Sequence, residues 1–237
     1  MKYSVIFPYF NRYEQLKCTL SSFFLFYSTR DDFEVIIIED QKQTDDMHYR
    51  LLLLIEMFKD YINITLIRTQ AEISFSPSTA YNEGVSIANG TFLIISNPEC
   101  QHDSDILSEL DKEFEHNENT YVVCACKALR RDFTAYRWHH HSVSRNTMYH
   151  FCCGISKKNY LKANGFDERY TKGIGYDDNS FRDRVKSLGI PFSLRDDLVV
   201  SHLWHEKVRP PKYKELVNRN KLIYEDSINQ METGAVI

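Results

Sequence analysis

The stretch from Gly173 to Phe181 combines residue types that can carry out acid–base chemistry. Two glycines, Gly173 and Gly175, precede the adjacent carboxylates Asp177 and Asp178. Apolar residues then recur at helical spacing, so the carboxylates are predicted to begin a helix, where free N–H groups and the helix dipole stabilise negative charge. Two interpretations follow: a surface helix with an acidic first turn, or a general base at the mouth of a cleft whose glycines let a ligand approach the backbone.

The first hundred residues alternate apolar runs with helical patterns. The predicted strands cover residues 3–7, 33–38, 62–67 and 92–95, and the predicted helices follow Asn11 and cover residues 51–58 and 79–88. We expect Pro8 to end the first strand and Asn11 to cap the first helix. Continuous apolar strands separated by helices are typical of a parallel sheet covered on both faces.

Polar residues stand at the carboxyl ends of three predicted strands. They are the segment Pro8–Arg12, the pair Glu39 and Asp40, and the segment Asn97–Glu99. Ligands bind such sheets at the carboxyl ends of the strands. The sequence therefore predicts a ligand site along this edge of the sheet.

The pattern is looser after Glu99. We predict helices at residues 106–114, 157–163 and 216–224, and strands at residues 121–126, 151–155, 192–194 and 198–200. The polar segment Asp132–His150 contains Trp138 followed by three histidines. For this segment a flexible loop near the site is favoured over a metal site.

Composition restricts the class of protein. The chain has 237 residues with a net charge of −4 and no long basic run, which argues against a broad nucleic-acid-binding surface. No apolar stretch approaches the ~20 residues of a transmembrane helix, and the chain enters a strand-like run at once, without a signal peptide. The six cysteines lack zinc-site spacing and are interpreted as buried thiols in a reducing compartment. We expect a cytoplasmic, soluble protein, with peripheral attachment to a membrane left open.

The order of these motifs resembles that of the GT-A fold glycosyltransferases of the large, inverting family-2 type. The resemblance covers Lys2 to Tyr224, and the later half is also similar to the β-1,4-galactosyltransferases. It rests on six pieces in order, at residues 8–12, 39–40, 75–84, 88–95, 165–168 and 173–178. It implies one α/β domain over residues 1–225, with a Rossmann-like, mostly parallel sheet flanked by helices. Residues 1–100 would be the nucleotide-sugar-binding half, residues 101–225 the acceptor and catalytic half, and residues 226–237 a mobile tail.

The resemblance implies a role for each motif. The implied nucleotide-binding residues are Pro8, Tyr9, Asn11, Arg12, Glu39, Asp40, Ser78, Asn82 and Asn97. The implied acceptor-binding residues are Gly154, Gly175, Tyr176 and Asp177, and Asp178 is preferred to Asp177 as the catalytic base. Glu99, His202 and His205 are the implied ligands of Mn²⁺ or Mg²⁺. The chain departs from the family pattern at Asn97, which replaces the first carboxylate of the DxD motif, and at Pro77 and Ile174.

The implied reaction is metal-dependent transfer of a sugar, with inversion, from a nucleoside diphosphate sugar, commonly a uridine one, to a hydroxyl of a glycan or other acceptor. Two alternatives stay open. A non-catalytic nucleotide-sugar-binding module is favoured by Asn97, and a nucleotidyltransferase shares the nucleotide-binding half. That second class needs a basic phosphate loop near the N-terminus, where only Arg12 is present.

Overall fold

A computed structural model of the chain describes residues 1–70, 76–207 and 209–233. The strands are β1 (Tyr3–Tyr9), β2 (Phe33–Glu39), β3 (Asn63–Arg68), β4 (Phe92–Ser96), β5 (Cys100–His102), β6 (Tyr121–Leu129), β7 (Ala135–His140), β8 (Cys152–Ser156) and β9 (Phe192–His202). The helices are α1 (Tyr13–Tyr27), α2 (Asp45–Phe58), α3 (Ser78–Ile87), α4 (Ile106–His116), α5 (Lys157–Lys162), α6 (Asp177–Ser187) and α7 (Tyr213–Thr233), with a 3-10 helix at Glu168–Lys172.

The described strands form one sheet with the order β3-β2-β1-β4-β8-β6-β9-β5, and β7 pairs with β6 outside this path. Strands β3, β2, β1 and β4 are parallel, which confirms the predicted parallel sheet of the first hundred residues. Strand β8 runs antiparallel to β4 and β6, whereas β9 is parallel to β6 and antiparallel to β5. The fold is α/β with a mostly parallel central sheet flanked by helices, as predicted.

Both faces of the sheet are buried because its central strands are mostly apolar and carry apolar side chains toward both faces. In β1, Tyr3, Val5, Phe7 and Tyr9 belong to one core cluster and Ile6 to the other. Successive side chains of a strand point to opposite faces, so a continuous apolar run needs a cover on each side. Helices α1, α2 and α4 supply the first cover, and α3, α5 and α6 supply the second. None of the described helices has the length and apolar character needed to cross a membrane.

The prediction that Pro8 ends the first strand is wrong, because β1 continues to Tyr9. The carbonyl oxygen of Tyr9 accepts a hydrogen bond from the Asp40 N–H on the β2 side. Neighbouring residues of a parallel strand point their backbone groups to opposite sides, so the N–H that Pro8 lacks belongs on the β4 side. Pairing with β4 has already ended there, at Ile6. Proline therefore costs this strand no ladder hydrogen bond.

Three other predictions are corrected by the structure. Asn11 does not cap α1: the helix begins at Tyr13 without a side-chain cap, and Asn11 has a left-handed backbone with a φ of 50°. The segment Asp132–His150 is not simply a loop, because β7 lies within it and pairs with β6. The two short strands predicted after residue 191 are one strand, β9.

The last helix is also longer than predicted. Helix α7 extends to Thr233, so the first part of the predicted tail is helical. The remainder of that tail, residues 234–237, and Phe75 of the predicted diphosphate loop lie outside the described residues.

Candidate active site

A cleft of about 380 Å³ opens at the carboxyl ends of β1 and β4. It is the edge of the sheet at which the sequence predicts a ligand site. Eight of the predicted site residues line it, namely Pro8, Tyr9, Arg12, Asn97, Glu99, Gly175, Asp177 and Asp178. The structure therefore brings residues from both halves of the chain to one cleft.

Glu99, His202 and His205 form a cluster beside this cleft. The Glu99 Oε1 atom lies 3.6 Å from the Nε2 atom of each histidine, and the three potential ligand atoms lie within 4.8 Å of one another. Pairing of β5 with β9 creates the cluster, because Cys100 stands opposite His202. Atoms bound about 2.1 Å from one ion lie roughly 3–4 Å apart, so the spacing fits a divalent cation. One carboxylate and two imidazoles suit Mn²⁺ better than Mg²⁺, because Mg²⁺ accepts nitrogen ligands less readily.

The charges around Glu99 keep its carboxylate ionised. Burial alone would raise the pKa of Glu99, but the hydrogen bond and charge of His202, with Arg12 and His205, lower it to about 2. The Arg12 Nε atom lies 3.8 Å from Glu99 Oε2. Burial also lowers the pKa of His205, which favours its neutral, metal-binding form. An ionised Glu99 and a neutral His205 are the forms in which these two side chains can bind a cation.

The acidic pair begins α6 on the opposite wall of the cleft. Tyr176 precedes it in a left-handed conformation with a φ of 69°, and Gly175 has a φ of 69° as well. Asp177 is buried, and burial together with the charge of Asp178 raises its pKa to about 6. A buried carboxyl group with a raised pKa is unusual at a simple helix N-terminus and is typical of functional sites.

Asp178 has a partner that the sequence analysis did not identify. The His150 Nδ1 atom lies 2.5 Å from Asp178 Oδ1, and the His150 side chain is buried. Burial lowers the pKa of His150, but the Asp178 charge and hydrogen bond outweigh it and raise the pKa above the usual histidine value. Tyr81 and Phe166 pack edge-on against the imidazole at 5.1 and 4.7 Å between ring centroids. His150 stands alone before β8 without a spacing pattern, so the sequence offered no signal for it.

A buried amide on α7 holds the loop that precedes the acidic pair. The Asn220 Nδ2 group donates to the carbonyl oxygens of Tyr170 and Gly175, each at 2.9 Å. A Cβ atom on Gly173 would lie 2.1 Å from Asn220 Oδ1, so glycine is required for this close approach. The side chain of Tyr176 packs against Tyr224 of α7, at 5.5 Å between ring centroids, and does not line the cleft.

Asn97, at the position of the missing DxD carboxylate, has a fixed orientation. The buried Tyr81 hydroxyl donates to Asn97 Oδ1 at 2.8 Å. Since the amide oxygen is occupied, the amide N–H groups remain for a ligand in the cleft. Asn97 is therefore suited to donate a hydrogen bond and contributes no charge.

Glu39 and Asp40 lie beside the cleft, at the end of β2, and both are fully buried. Glu39 Oε2 lies 2.6 Å from His48 Nδ1, and Asp40 Oδ1 accepts from the Lys42 N–H at 2.7 Å. Three buried polar atoms nearby have no hydrogen-bond partner among the described residues: Tyr9 Oη, Glu39 Oε1 and Gln43 Nε2. Buried polar atoms without partners are rare in folded proteins, and they mark this end of the strands as a place for a polar ligand.

Asn11 stands at the mouth of this region. Its N–H donates to Gln43 Oε1 at 3.2 Å, and its left-handed backbone turns the chain from β1 into α1. Asn11 does not line the cleft itself.

Three further predicted site residues, Asn82, Gly154 and Ser78, do not line the cleft. Asn82 uses its whole amide to hold the segment around Phe166: it donates to the Phe166 carbonyl at 2.8 Å and accepts from the Phe166 N–H at 2.9 Å. Gly154 lies in the middle of β8, where an added Cβ would meet Phe114 of α4 at 3.1 Å. Ser78 is buried at the start of α3, 3.2 Å from the Ser76 hydroxyl. Asn82 and Gly154 therefore have structural roles here.

Comparisons with known proteins agree with this geometry. The model of the family described as glycosyl transferase family 2 matches residues 4–186. Among solved structures, TarS 1–349 of S. aureus superposes with a TM-score of 0.65 at 14% identity, over 86% of this chain and 60% of that one. The chain thus spans less than two thirds of that structure. A comparison with curated protein sequences found no match.

Two further structures contain bound donors. TarS 1–349 in complex with UDP-GlcNAc has a TM-score of 0.70 at 15% identity, over 97% of this chain and 72% of that one. The mannosyltransferase PcManGT from Pyrobaculum calidifontis, in complex with GDP-Man and Mn²⁺, has a TM-score of 0.66 at 14% identity, over 99% of this chain and 75% of that one. At this identity the likeness concerns the fold.

Proposed function

The chain belongs to glycosyl transferase family 2, and we propose that it transfers a sugar from a uridine diphosphate sugar to an acceptor hydroxyl, with a divalent cation and with inversion. The family and the fold identify a nucleotide-sugar glycosyltransferase. The observation that carries the finer proposal is one cleft lined by both Glu99 and Asp178. A cation site and a carboxylate base on one cleft are the two groups that this reaction requires.

Glu99, His202 and His205 would hold Mn²⁺ or Mg²⁺, since their potential ligand atoms lie within 4.8 Å of one another. A bound divalent cation neutralises the charge that develops on a diphosphate leaving group. Arg12, 3.8 Å from Glu99, adds a second positive group beside the diphosphate. The low pKa of Glu99 keeps this carboxylate ionised and therefore able to bind a cation.

The nucleotide would bind at the ends of β1 and β2. Tyr9, Glu39 and Gln43 each carry a buried polar atom there that has no partner within the described part of the chain, and a uracil ring or a ribose has donors and acceptors to complement them. Asn97 offers its amide N–H groups, because its oxygen already accepts from Tyr81. The UDP and UDP-GlcNAc complexes of TarS support uridine, whereas the PcManGT complex contains GDP-Man.

Asp178 would act as the base. It takes the proton of the acceptor hydroxyl while that oxygen bonds to the anomeric carbon and the bond from this carbon to the diphosphate oxygen breaks. Attack from the side opposite the leaving group inverts the anomeric configuration. Asp177, whose pKa near 6 leaves it partly protonated close to neutral pH, can both donate to and accept from acceptor hydroxyls. The products are the glycosylated acceptor and the nucleoside diphosphate.

Release of nucleoside diphosphate tests this proposal. A panel of UDP- and GDP-sugars is incubated with the protein, with Mn²⁺ or with a chelator, and with mixed glycan acceptors. We expect UDP release that requires Mn²⁺. Binding of a UDP-sugar without release would instead favour a non-catalytic module, and pyrophosphate formation from a nucleoside triphosphate and a sugar phosphate would favour a nucleotidyltransferase.

A further inference from the structure

The arginine side chains of this protein differ in whether they have a hydrogen-bond or ion-pair partner. In the described ranges, Arg12, Arg30, Arg50, Arg68, Arg169, Arg182 and Arg195 each have a carboxylate within 4.0 Å. Arg184 and Arg219 donate to backbone carbonyl oxygens. Among the residues that the structure describes, the arginine side chains with no hydrogen bond or ion pair are Arg130, Arg131, Arg137, Arg145 and Arg209. Four of these five fall in residues 130–145, the segment that contains β7.

Exposed aromatic rings accompany these arginines. Tyr136 is 42% exposed, and the guanidinium groups of Arg130 and Arg137 lie 5.0 and 5.4 Å from its ring centroid. Trp204 is 45% exposed, and Arg131 lies 5.5 Å from its centroid. We call these five residues the arginine–aromatic surface. Guanidinium groups held by ring faces keep all their N–H donors available, and their mutual repulsion is relieved when an anion binds.

A small pocket joins this surface to the cation cluster. Its volume is about 190 Å³, and Tyr136, Trp204 and Lys207 line it together with His202 and His205. Glu206 also lines the pocket and is its one carboxylate among the described residues. His202 and His205 line this pocket and also belong to the cation cluster, so a molecule bound here lies next to the proposed reaction centre.

We propose that the arginine–aromatic surface binds the acceptor, and that this acceptor is a saccharide carrying a carboxylate or phosphate group. This inference rests on the proposed transferase function and specifies its acceptor class. Aromatic rings stack on the apolar faces of sugar rings, and guanidinium groups bind carboxylates and phosphates with paired hydrogen bonds. A neutral glycan would use the rings and leave the arginines without partners. The overall charge of −4 argues that the positive surface is local and selective for a short anionic ligand.

Binding is measured through Trp204 fluorescence. The chain has two tryptophans, so Trp138→Phe leaves Trp204 as the single reporter. The probes are two matched pairs: tetragalacturonate against its methyl ester, and pentamannose phosphate against pentamannose. We expect at least tenfold tighter binding of the charged member of a pair, with an affinity that falls as salt is raised. The pair that shows the difference distinguishes a carboxylate from a phosphate ligand.

Variants connect the binding to these residues. Arg130→Ala with Arg131→Ala is expected to abolish the preference for the charged probe. Lys158→Ala with Lys162→Ala removes the same charge from α5, where neither lysine lines either pocket, and is expected to retain it. UDP affinity in Mn²⁺ is measured on the same proteins and should stay within twofold of the parent, since the arginine pair does not line the 380 Å³ cleft. UDP release in the presence of the charged saccharide should fall in the arginine variant and be retained in the lysine variant.

Three outcomes would overturn the inference. Equal binding of charged and neutral probes by the parent would remove the basis for an anionic acceptor. A large loss of UDP affinity in the arginine variant would assign the surface to the donor diphosphate. Tighter binding of a short single-stranded oligonucleotide than of either charged saccharide would assign it to nucleic acid. Failure of the transferase proposal is separate, because it would appear as absent UDP release in the parent.

Discussion

Glu99 is the residue on which the two halves of the site meet. It follows β4, forms an ion pair with Arg12, and lies close to His202 and His205, which the pairing of β5 with β9 brings near. The resemblance to the family implied all three potential ligands. The pairing of β5 with β9 was not predictable from the sequence, because β5 has only three residues.

Replacing Glu99 tests the cation site. Glu99→Ala is expected to remove the rise in melting temperature that Mn²⁺ with UDP gives the parent, because two histidines alone bind a hard cation weakly. UDP binding in chelator should change little. Glu118→Ala, which removes an exposed carboxylate from a distant turn, serves as the control and should keep the Mn²⁺ effect. A parent-like Mn²⁺ response in Glu99→Ala would contradict the assignment.

Asp177 gives a prediction about stability and pH. Burial and Asp178 raise its folded-state pKa to about 6, above the model-peptide range near 3.9. A raised carboxyl pKa stabilises the fold fully below the unfolded value, and that contribution is lost as pH rises through about 6. Asp177→Asn should therefore be more stable than the parent at pH 7.5, by a few degrees in melting temperature, with the difference disappearing near pH 4.

Melting curves of both proteins at pH 7.5 and pH 4 make the comparison. An ordinary acidic residue at a helix N-terminus would behave in the opposite way, since its removal costs ~0.3–1 kcal/mol at neutral pH. A less stable Asp177→Asn at pH 7.5 would therefore favour the simple helix-capping interpretation.

Among the elements, α7 positions the loop that precedes the acidic pair. Its Asn220 holds the backbone of Tyr170 and Gly175, so the loop before the acidic pair depends on a helix more than forty residues later. The sequence predicted a last helix but gave no sign of this contact, because a single buried amide in a polar helix has no periodic pattern.

Substitution of Gly173 tests that dependence. In Gly173→Ala the new Cβ would lie 2.1 Å from the buried Asn220 amide, so the loop or the amide must move. Overpacking of this kind costs ~1–3 kcal/mol, and we expect UDP release to fall at least tenfold at a temperature where the variant is folded. Gly189→Ala is the control: its φ of 68° makes alanine strained, but nothing lies within 4 Å of the added atom and the site is remote.

These two glycine variants separate stability from function. Both should melt below the parent, and only Gly173→Ala should lose activity relative to its folded fraction. Equal specific activity in the two variants would show that Asn220 is a general packing residue.

Across the whole molecule, the predictable half of the fold is the parallel half. Strand β2 contains the apolar run Val35–Ile38 and is buried at every position, and only burial between two helix layers satisfies such a run. The antiparallel half was less predictable. The first three residues of β7 are exposed, and the middle of β9 is polar. Neither strand therefore shows the alternation of apolar and polar residues that is typical of a half-buried strand.

The site was predictable to the extent that its residues stand in motifs. The acidic pair and the segments at the carboxyl ends of β1 and β4 meet in one cleft, whereas Glu39 and Asp40 lie beside it. His150 and Asn220 were missed because each acts alone. The Asn82 amide bonds the backbone of Phe166, a contact that the sequence did not indicate. Tertiary contacts of single polar residues leave no trace in local sequence.

The most direct test of the account is the Asp178→Asn variant. Asparagine keeps the size and one hydrogen-bonding oxygen of Asp178 but cannot take the acceptor's proton. We predict UDP-sugar affinity within twofold of the parent and transfer reduced by at least about a hundredfold, in the ~10²–10⁴ range typical of general-base loss. Parent-like transfer by Asp178→Asn, measured at saturating donor with Mn²⁺, would contradict the assignment of the base and with it the proposed mechanism.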